Sequence, residues 1–157
     1  MIINTETPDQ PDARAMLARL DAYHAALYPA ESNHLLGVDA LLRDEALFLV
    51  ARDVDGSAVG CAALVNRHAV DDHHGEHYGE IKRMFVDEAR RGQGAGRKLL
   101  EHLVMFARMA GIGILRLETG IHQDAALALY ERAGFVRRAP FGDYRDDPLS
   151  VFMEKRL

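Results

Sequence analysis

The amino-acid sequence predicts a mixed α/β fold, and three observations carry that reading. Apolar residues recur with helical spacing in several stretches, separated by shorter strand-like apolar runs. Two of those runs flank Asp55-Gly56, a dipeptide suited to a hairpin turn. A third run, "EIKRMFVDE", leads through a helical stretch into "IGILRLET". A helical crossover of that kind requires its two strands to lie parallel.

Taken in order, "IINT" reads as a short edge strand. "PDARAMLARLDAYHAALY" spaces Met16, Leu20, Tyr23 and Leu27 as a helix does, with Pro11 in the first turn, where its missing N–H costs nothing. "LLGVDALLRD" predicts a second, shorter helix. "ALFLVARD" and "SAVGCAALVN" form the hairpin, and the polar segment "RHAVDDHHGEHYG" connects it to the next strand. A helix over about 94–109 follows, placing Gly96, Leu99, Leu100, Leu103, Val104 and Ala107 on one face. After "IGILRLET" come the helix "QDAALALYERAG", closed by Gly134, the short strand "FVRR" and the last strand "LSVFMEKRL". The predicted order is β-α-α-β-β-β-α-β-α-β-β.

At 157 residues and 48% hydrophobic composition, the chain suits one domain over 1–157 with a continuous core. Its net charge of −5 and lack of a long basic run exclude a dedicated nucleic-acid binder, whose affinity rests on cations against phosphate. Cys61 is the single cysteine, so no internal disulfide can form, and "VGCAALV" makes it a small buried hydrophobe. The N-terminus has neither a basic start nor a long apolar core, and no apolar run reaches the roughly 18 residues of a membrane span. The expectation is a soluble cytoplasmic protein.

The most informative stretch is "ARRGQGAGRKLLEHLVMFAR", residues 89–108, where three glycines alternate between arginines just as a helix begins. A helix start exposes unpaired N–H groups and the positive end of the helix dipole. Gly92, Gly94 and Gly96 let an anion descend onto that backbone, and Arg90, Arg91 and Arg97 add charge. The alternative is a turn whose glycines only permit close helix–sheet packing. A Walker A loop does not fit, because Lys98 is preceded by Arg97 and followed by Leu99. The dinucleotide pattern fails too, with Leu99 where its third glycine belongs.

Arg91-Gly92-Gln93-Gly94-Ala95-Gly96 resembles the Q/R-x-x-G-x-G/A signature of the GNAT superfamily of N-acyltransferases. "QDAALALYERAGF", Gln123 to Phe135, is similar to that family's N-x-x-A-x-x-L-Y-x-x-x-G-F, with Gln123 in place of the commoner Asn. The resemblance runs from about Glu80 to Phe135, and the first 45 residues carry no specific signature. It implies a GNAT-like fold: a central twisted mixed sheet of six to seven strands flanked by about four helices. It also implies acetyl-CoA as cosubstrate, with its pyrophosphate held by the segment Arg91 to Arg97, including Gln93 and Ala95. The backbone of Met84, Phe85 and Val86 would pair with the pantetheine arm, and Gln123 would join the cofactor site.

Acetyl transfer to an amine needs a neutral amine, an oxyanion stabiliser and a way to discharge the departing thiolate. Glu80, eleven positions before Arg91, stands where the resemblance implies a general base; otherwise it is a strand-end carboxylate paired with Lys82 or solvent. Tyr130 stands where it implies a general acid; the alternative is a core tyrosine with its hydroxyl at the rim. An unperturbed phenol, near 10, keeps its proton where a thiol, near 8.5, begins to lose it. The loop "HAVDDHHGEH", with His68, Asp71, Asp72, His73, His74, Glu76 and His77, lacks the rigid spacing of a metal site and reads as solvated, with no metal expected. Tyr23, His24, Tyr28, Asn33, His34, Arg83, Asp143, Tyr144 and Arg145 are candidate substrate contacts without an assigned role.

The reading is an acetyl-CoA-dependent N-acetyltransferase acting by direct attack of a primary amine, carried by a small molecule or a peptide, with a homodimer common among similar proteins. A noncatalytic acyl-CoA-binding module is the rival.

Overall fold

The computed structural model describes residues 1–44, 46–72 and 74–157. Its strands and helices follow the predicted order: β1 (Ile2–Thr5), α1 (Pro11–Leu27), α2 (Val38–Arg43), β2 (Leu47–Arg52), β3 (Ala58–Arg67), β4 (Tyr78–Val86), α3 (Ala95–Met109), β5 (Ile114–Gly120), α4 (Asp124–Arg132), β6 (Val136–Arg138) and β7 (Ser150–Arg156). Seven strands form one sheet in the spatial order β1-β2-β3-β4-β5-β7-β6. All neighbours are antiparallel except β4 and β5, joined through α3 and parallel as the crossover demands.

Strand alternation sends successive side chains to opposite faces. One face carries Leu49, Ala62, Leu64, Ile81, Leu115, Leu117 and Met153, which meet Leu99, Leu100 and Leu103 of α3 and Leu127 and Tyr130 of α4. The other carries Phe48, Val50, Cys61, Ala63 and Phe85, which meet Met16, Leu17 and Leu20 of α1 and Leu41 of α2. A smaller group, Tyr78, Phe141 and Phe152, extends that second face below the helices.

Two departures from regular pairing shape the middle of the sheet. Arg83 adopts φ 58°, and the β3–β4 register slips between Cys61 and Ala63, so β4 carries a bulge there. The bulge resets the alternation: Lys82 and Arg83 both serve the α1–α2 face, while Met84 and Val86 pack toward α3. Secondly, the β4–β5 ladder pairs only Gly79–Ile81 with Leu115–Leu117, although β4 runs on to Val86 and β5 to Gly120. Beyond Ile81 the two strands splay apart and leave an opening through the sheet. At its far end the Tyr28 ring lies against Gly120, where an added Cβ would come within 1.9 Å of the phenol oxygen. Glycine is thus required at 120 for close approach rather than for a turn.

The loop before β4 differs from the solvated connection the sequence suggests. Asp72 is buried and accepts hydrogen bonds from the backbone of Glu76 and Gly142, at 3.2 Å each. Its carboxylate also lies 3.6 Å from Arg116, a fully buried arginine of β5 that donates to Glu76 and, at 2.9 Å, to Glu154. Arg116 stacks over the Tyr78 ring, 4.5 Å from its centroid. Burial raises the pKa of Asp72, but its backbone donors and Arg116 outweigh that and hold it below the ordinary carboxylate value. Polar residues in this loop are spent on a buried cation, which periodicity cannot show because the partners lie about 40 residues apart. His73 lies outside the described residues. Among the described residues no group of three or more His, Cys, Asp and Glu is arranged to hold a metal ion, and no helix is long and apolar enough to cross a membrane.

Candidate active site

The opening between β4 and β5 has a cavity on each side. On the α3–α4 side a crevice of about 960 Å³ is lined by Met84 and Val86, by Gly92, Gly94, Ala95 and Gly96, and by Gln123, Ala126 and Leu129. Gly92 and Gly94 sit at φ 78° and 87°, and a side chain placed on either would meet nothing within 4 Å. The left-handed backbone there needs glycine, and the space above it stays clear. Gly94 caps α3, whose first chain-internal bond runs from the Lys98 N–H to the Gly94 carbonyl at 3.0 Å, so the preceding amides form the helix's unpaired end. Gly96 has the other role weighed from sequence: a Cβ there would press on Leu129 at 3.2 Å, so it lets α3 and α4 pack closely. Arg90, Arg91, Arg97, Arg108, Arg132 and Lys155 line the same crevice against only Glu101 and Asp124. A chain of net charge −5 has therefore gathered its cations at one helix start. The Gln123 side-chain nitrogen is buried there with no hydrogen-bond partner, a donor left for something the crevice accepts.

Of the residues expected to hold a cofactor, Met84, Val86, Arg91, Gly92, Gly94, Ala95, Gly96, Arg97 and Gln123 line this crevice. Phe85 points to the opposite face, into the core beneath α1, and Gln93 turns its amide to the Ala89 carbonyl at 3.3 Å.

On the α1–α2 side a cavity of about 580 Å³ is lined by His34, Leu36, Arg67, Tyr78, Glu80, Lys82 and Tyr144, among others. Glu80 is 3% exposed. One of its oxygens accepts from Arg67 Nε at 2.9 Å, and the other from the Tyr144 hydroxyl at 2.6 Å with Lys82 3.5 Å away. Lys82 donates to the His34 carbonyl and the Tyr144 oxygen, at 2.8 and 2.6 Å. Burial, with the Glu80 charge and hydrogen bond, pushes the Tyr144 phenol well above its usual value. Arg83 serves structure: it donates to Asp21 at 2.6 Å and to the Leu17 carbonyl at 3.1 Å, tying α1 to the bulge. Tyr144 was visible in the sequence only as a turn residue, because its partners on β4 lie more than 60 positions away.

Tyr130 comes from α4 on the crevice side and is buried against Phe135, ring centroids 5.8 Å apart. Burial raises its phenol far above the ordinary value, and the charge of Glu118 adds to the rise. Glu80 and Tyr130 thus approach the opening from opposite faces of the sheet. Glu118, on the unpaired end of β5, went unmarked in the sequence reading because a lone glutamate in an apolar run carries no spacing signal.

Cys61 is buried on β3 beneath α1, its Sγ 3.5 Å from the Arg83 carbonyl. Burial pushes its thiol up to about 12, partly offset by the Arg83 charge. In the native state it should react with a disulfide reagent at pH 8 about a thousandfold more slowly than in urea. A burst of native-state labelling would contradict this burial. Such a thiol is unsuited to carry an acyl group.

Comparison with known proteins places this geometry. Residues 9–135 match the family model described as "Acetyltransferase (GNAT) family". An IAA acetyltransferase from Azospirillum brasilense is 48% identical over 155 residues, covering 99% of this chain and 97% of the relative. An uncharacterized N-acetyltransferase, YsnE, from Bacillus subtilis is 39% identical over 82% of each chain. A crystal structure of a candidate acyl-CoA N-acyltransferase from Klebsiella pneumoniae superposes with a TM-score of 0.80 at 40% identity, covering 99% of this chain and 97% of that one. The fold is shared as well by a GNAT family acetyltransferase from Elizabethkingia anophelis solved with acetyl-CoA bound, TM-score 0.70 at 20% identity over 99% of this chain and 97% of that one. With most of its length matched by the family model and a near-full-length relative at this identity, the chain belongs to the GNAT family of acetyltransferases.

Proposed function

We propose that this acetyltransferase binds acetyl-CoA in the α3–α4 crevice and transfers the acetyl group directly to a primary amine presented from the α1–α2 cavity. The observation that carries the reading is the pair of left-handed glycines, Gly92 and Gly94, at the unpaired end of α3 within a cluster of cations. Backbone amides and arginines there suit a diphosphate. The free edge of β4 beyond Ile81 offers backbone groups to an extended amide-bearing arm, as an added strand would use them. That arm would bring a thioester to the opening between β4 and β5, with Tyr130 beside it on the crevice side.

In this arrangement a carboxylate on the α1–α2 side accepts the amine's proton, with Glu80 the residue the sequence singles out. Tyr130 gives its proton to the departing thiolate and is reprotonated from the acylated nitrogen. Its raised pKa keeps that proton in place across the neutral range. No residue of the chain carries the acetyl group.

The test begins with binding. Coenzyme A should raise the midpoint of thermal unfolding, and ATP should not. Gly94→Val forces a β-branched side chain into a left-handed backbone at a cost of about 1–2 kcal/mol or more, before any obstruction of the crevice. Acetyl-CoA affinity should fall roughly tenfold or beyond. Turnover is then read as thiol release with the free amino acids, spermidine and an alanyl peptide as acceptors. Undiminished binding by Gly94→Val, or no coenzyme A binding by the parent chain, would remove the basis of the proposal.

A further inference from the structure

We infer that Glu118, rather than Glu80, takes the proton from the acceptor amine, with Ser150 as its positioning residue. The inference rests on the acetyl-transfer reading above and assigns the base within it.

Glu118 stands one residue past Leu117, the last β5 residue paired with β4, so it lies where the strands have begun to separate. Alternation from Arg116 puts its side chain on the acceptor face. There it feels Lys82, His34 and Glu80, and it raises the phenols of Tyr144 on the same face and of Tyr130 across the sheet. Glu118 is the one carboxylate whose charge acts on Tyr130, the residue that would meet the thiolate. It therefore stands between the acceptor cavity and the expected position of the sulfur.

The two carboxylates are held differently. Glu80 has both oxygens committed, one to Arg67 and one to the Tyr144 hydroxyl with Lys82 nearby, so protonating it means breaking an ion pair or a short hydrogen bond. Glu118 has one oxygen held by the Ser150 hydroxyl at 2.8 Å, which fixes the side chain and leaves the other oxygen to accept. Burial raises its pKa, with the Glu80 charge adding to the rise and Ser150, Lys82 and His34 opposing it. A carboxylate shifted that way is the stronger base. Glu80 remains a fixed negative charge that draws the ammonium into the cavity.

The protons balance. The ammonium gives one proton to Glu118, and the neutral nitrogen forms its bond to the acetyl carbon as the carbon–sulfur bond breaks. Tyr130 protonates the thiolate and regains its proton from the nitrogen. Glu118 passes the first proton to water, so one proton is released per turnover.

The experiment compares Glu118→Gln, Glu118→Asp, Ser150→Ala and Glu80→Gln from pH 5 to 9, using the best acceptor of the panel above. Glu118→Gln should lower kcat by at least ~100-fold, the low end of what a general base supplies, and abolish the acidic limb of the profile. Its KM for acetyl-CoA should be unchanged, because the crevice lies on the other face. Glu118→Asp should restore part of kcat. Ser150→Ala removes a bond that lowers the Glu118 pKa, so its acidic limb should move to higher pH. Glu80→Gln should retain a limb. Carboxyl carbon NMR of the glutamate-labelled chain gives a second readout that needs no acceptor: one signal titrates above the others, disappears in Glu118→Gln and moves up in Ser150→Ala. The inference is overturned if Glu118→Gln keeps kcat within tenfold with its limb intact, or if no signal behaves in this way. Failure of the underlying reading would show separately, as a parent chain that does not bind coenzyme A.

Discussion

Tyr130→Phe is expected to lower kcat by about 100-fold while leaving the KM for acetyl-CoA near its parent value. The change removes one oxygen from a ring whose contacts with Phe135 and the α3–α4 core remain, so the fold should tolerate it. What it removes is the proton donor for the departing thiolate. The pH dependence has a definite sign. A general acid works while protonated, and activity is lost as pH rises through its pKa in the folded protein. Burial and the Glu118 charge place that pKa above the ordinary phenol value near 10, so Tyr130 should contribute no alkaline decline below about pH 10. Steady-state kinetics from pH 7 to 10 checks both points. A variant retaining more than a third of the parent kcat would deny Tyr130 its role.

Arg116→Met should destabilise the protein by about 3–5 kcal/mol, the cost of removing one partner from a buried ion pair. Methionine fills much of the volume over the Tyr78 ring, so the loss is chiefly electrostatic. Asp72, with no side-chain exposure, and the largely buried Glu154 would lose a shared cation; Glu154 would keep only Arg138 at close range. Burial raises Glu154, but hydrogen bonds from Arg116 and Arg138 hold it below its usual value, and Asp72 is depressed likewise. Carboxylates depressed in the folded state stabilise it above their unfolded pKa, and that contribution is lost as pH falls through the folded value. The gap between parent and variant should therefore be widest near neutrality and narrow below about pH 4. Urea unfolding at pH 7 and pH 4 measures it; equal gaps at both values would contradict the assignment.

The sequence disclosed what depends on local pattern. Strand order followed from periodicity because each element buries a face of its own. The parallel β4–β5 pair followed from the α3 crossover, and the anion site from glycines that must occupy left-handed backbone at Gly92 and Gly94. Features made by distant partners stayed hidden. The Arg116 cluster gathers residues from 72 to 154, and the acceptor cavity joins Lys82 to a tyrosine 62 positions later. Glu118 became visible only once the end of the β4–β5 ladder was known. The bulge at Arg83 had no sequence mark, since arginine has no preference for positive φ.

Three rungs, at Gly79, Glu80 and Ile81, are all that join a four-stranded leaf to a three-stranded one. An extended molecule seated in the gap would supply the missing rungs from its own amides and brace the two leaves against each other. Part of the stiffness of this protein is thus borrowed from its cargo: it is loosest while waiting and firmest when loaded.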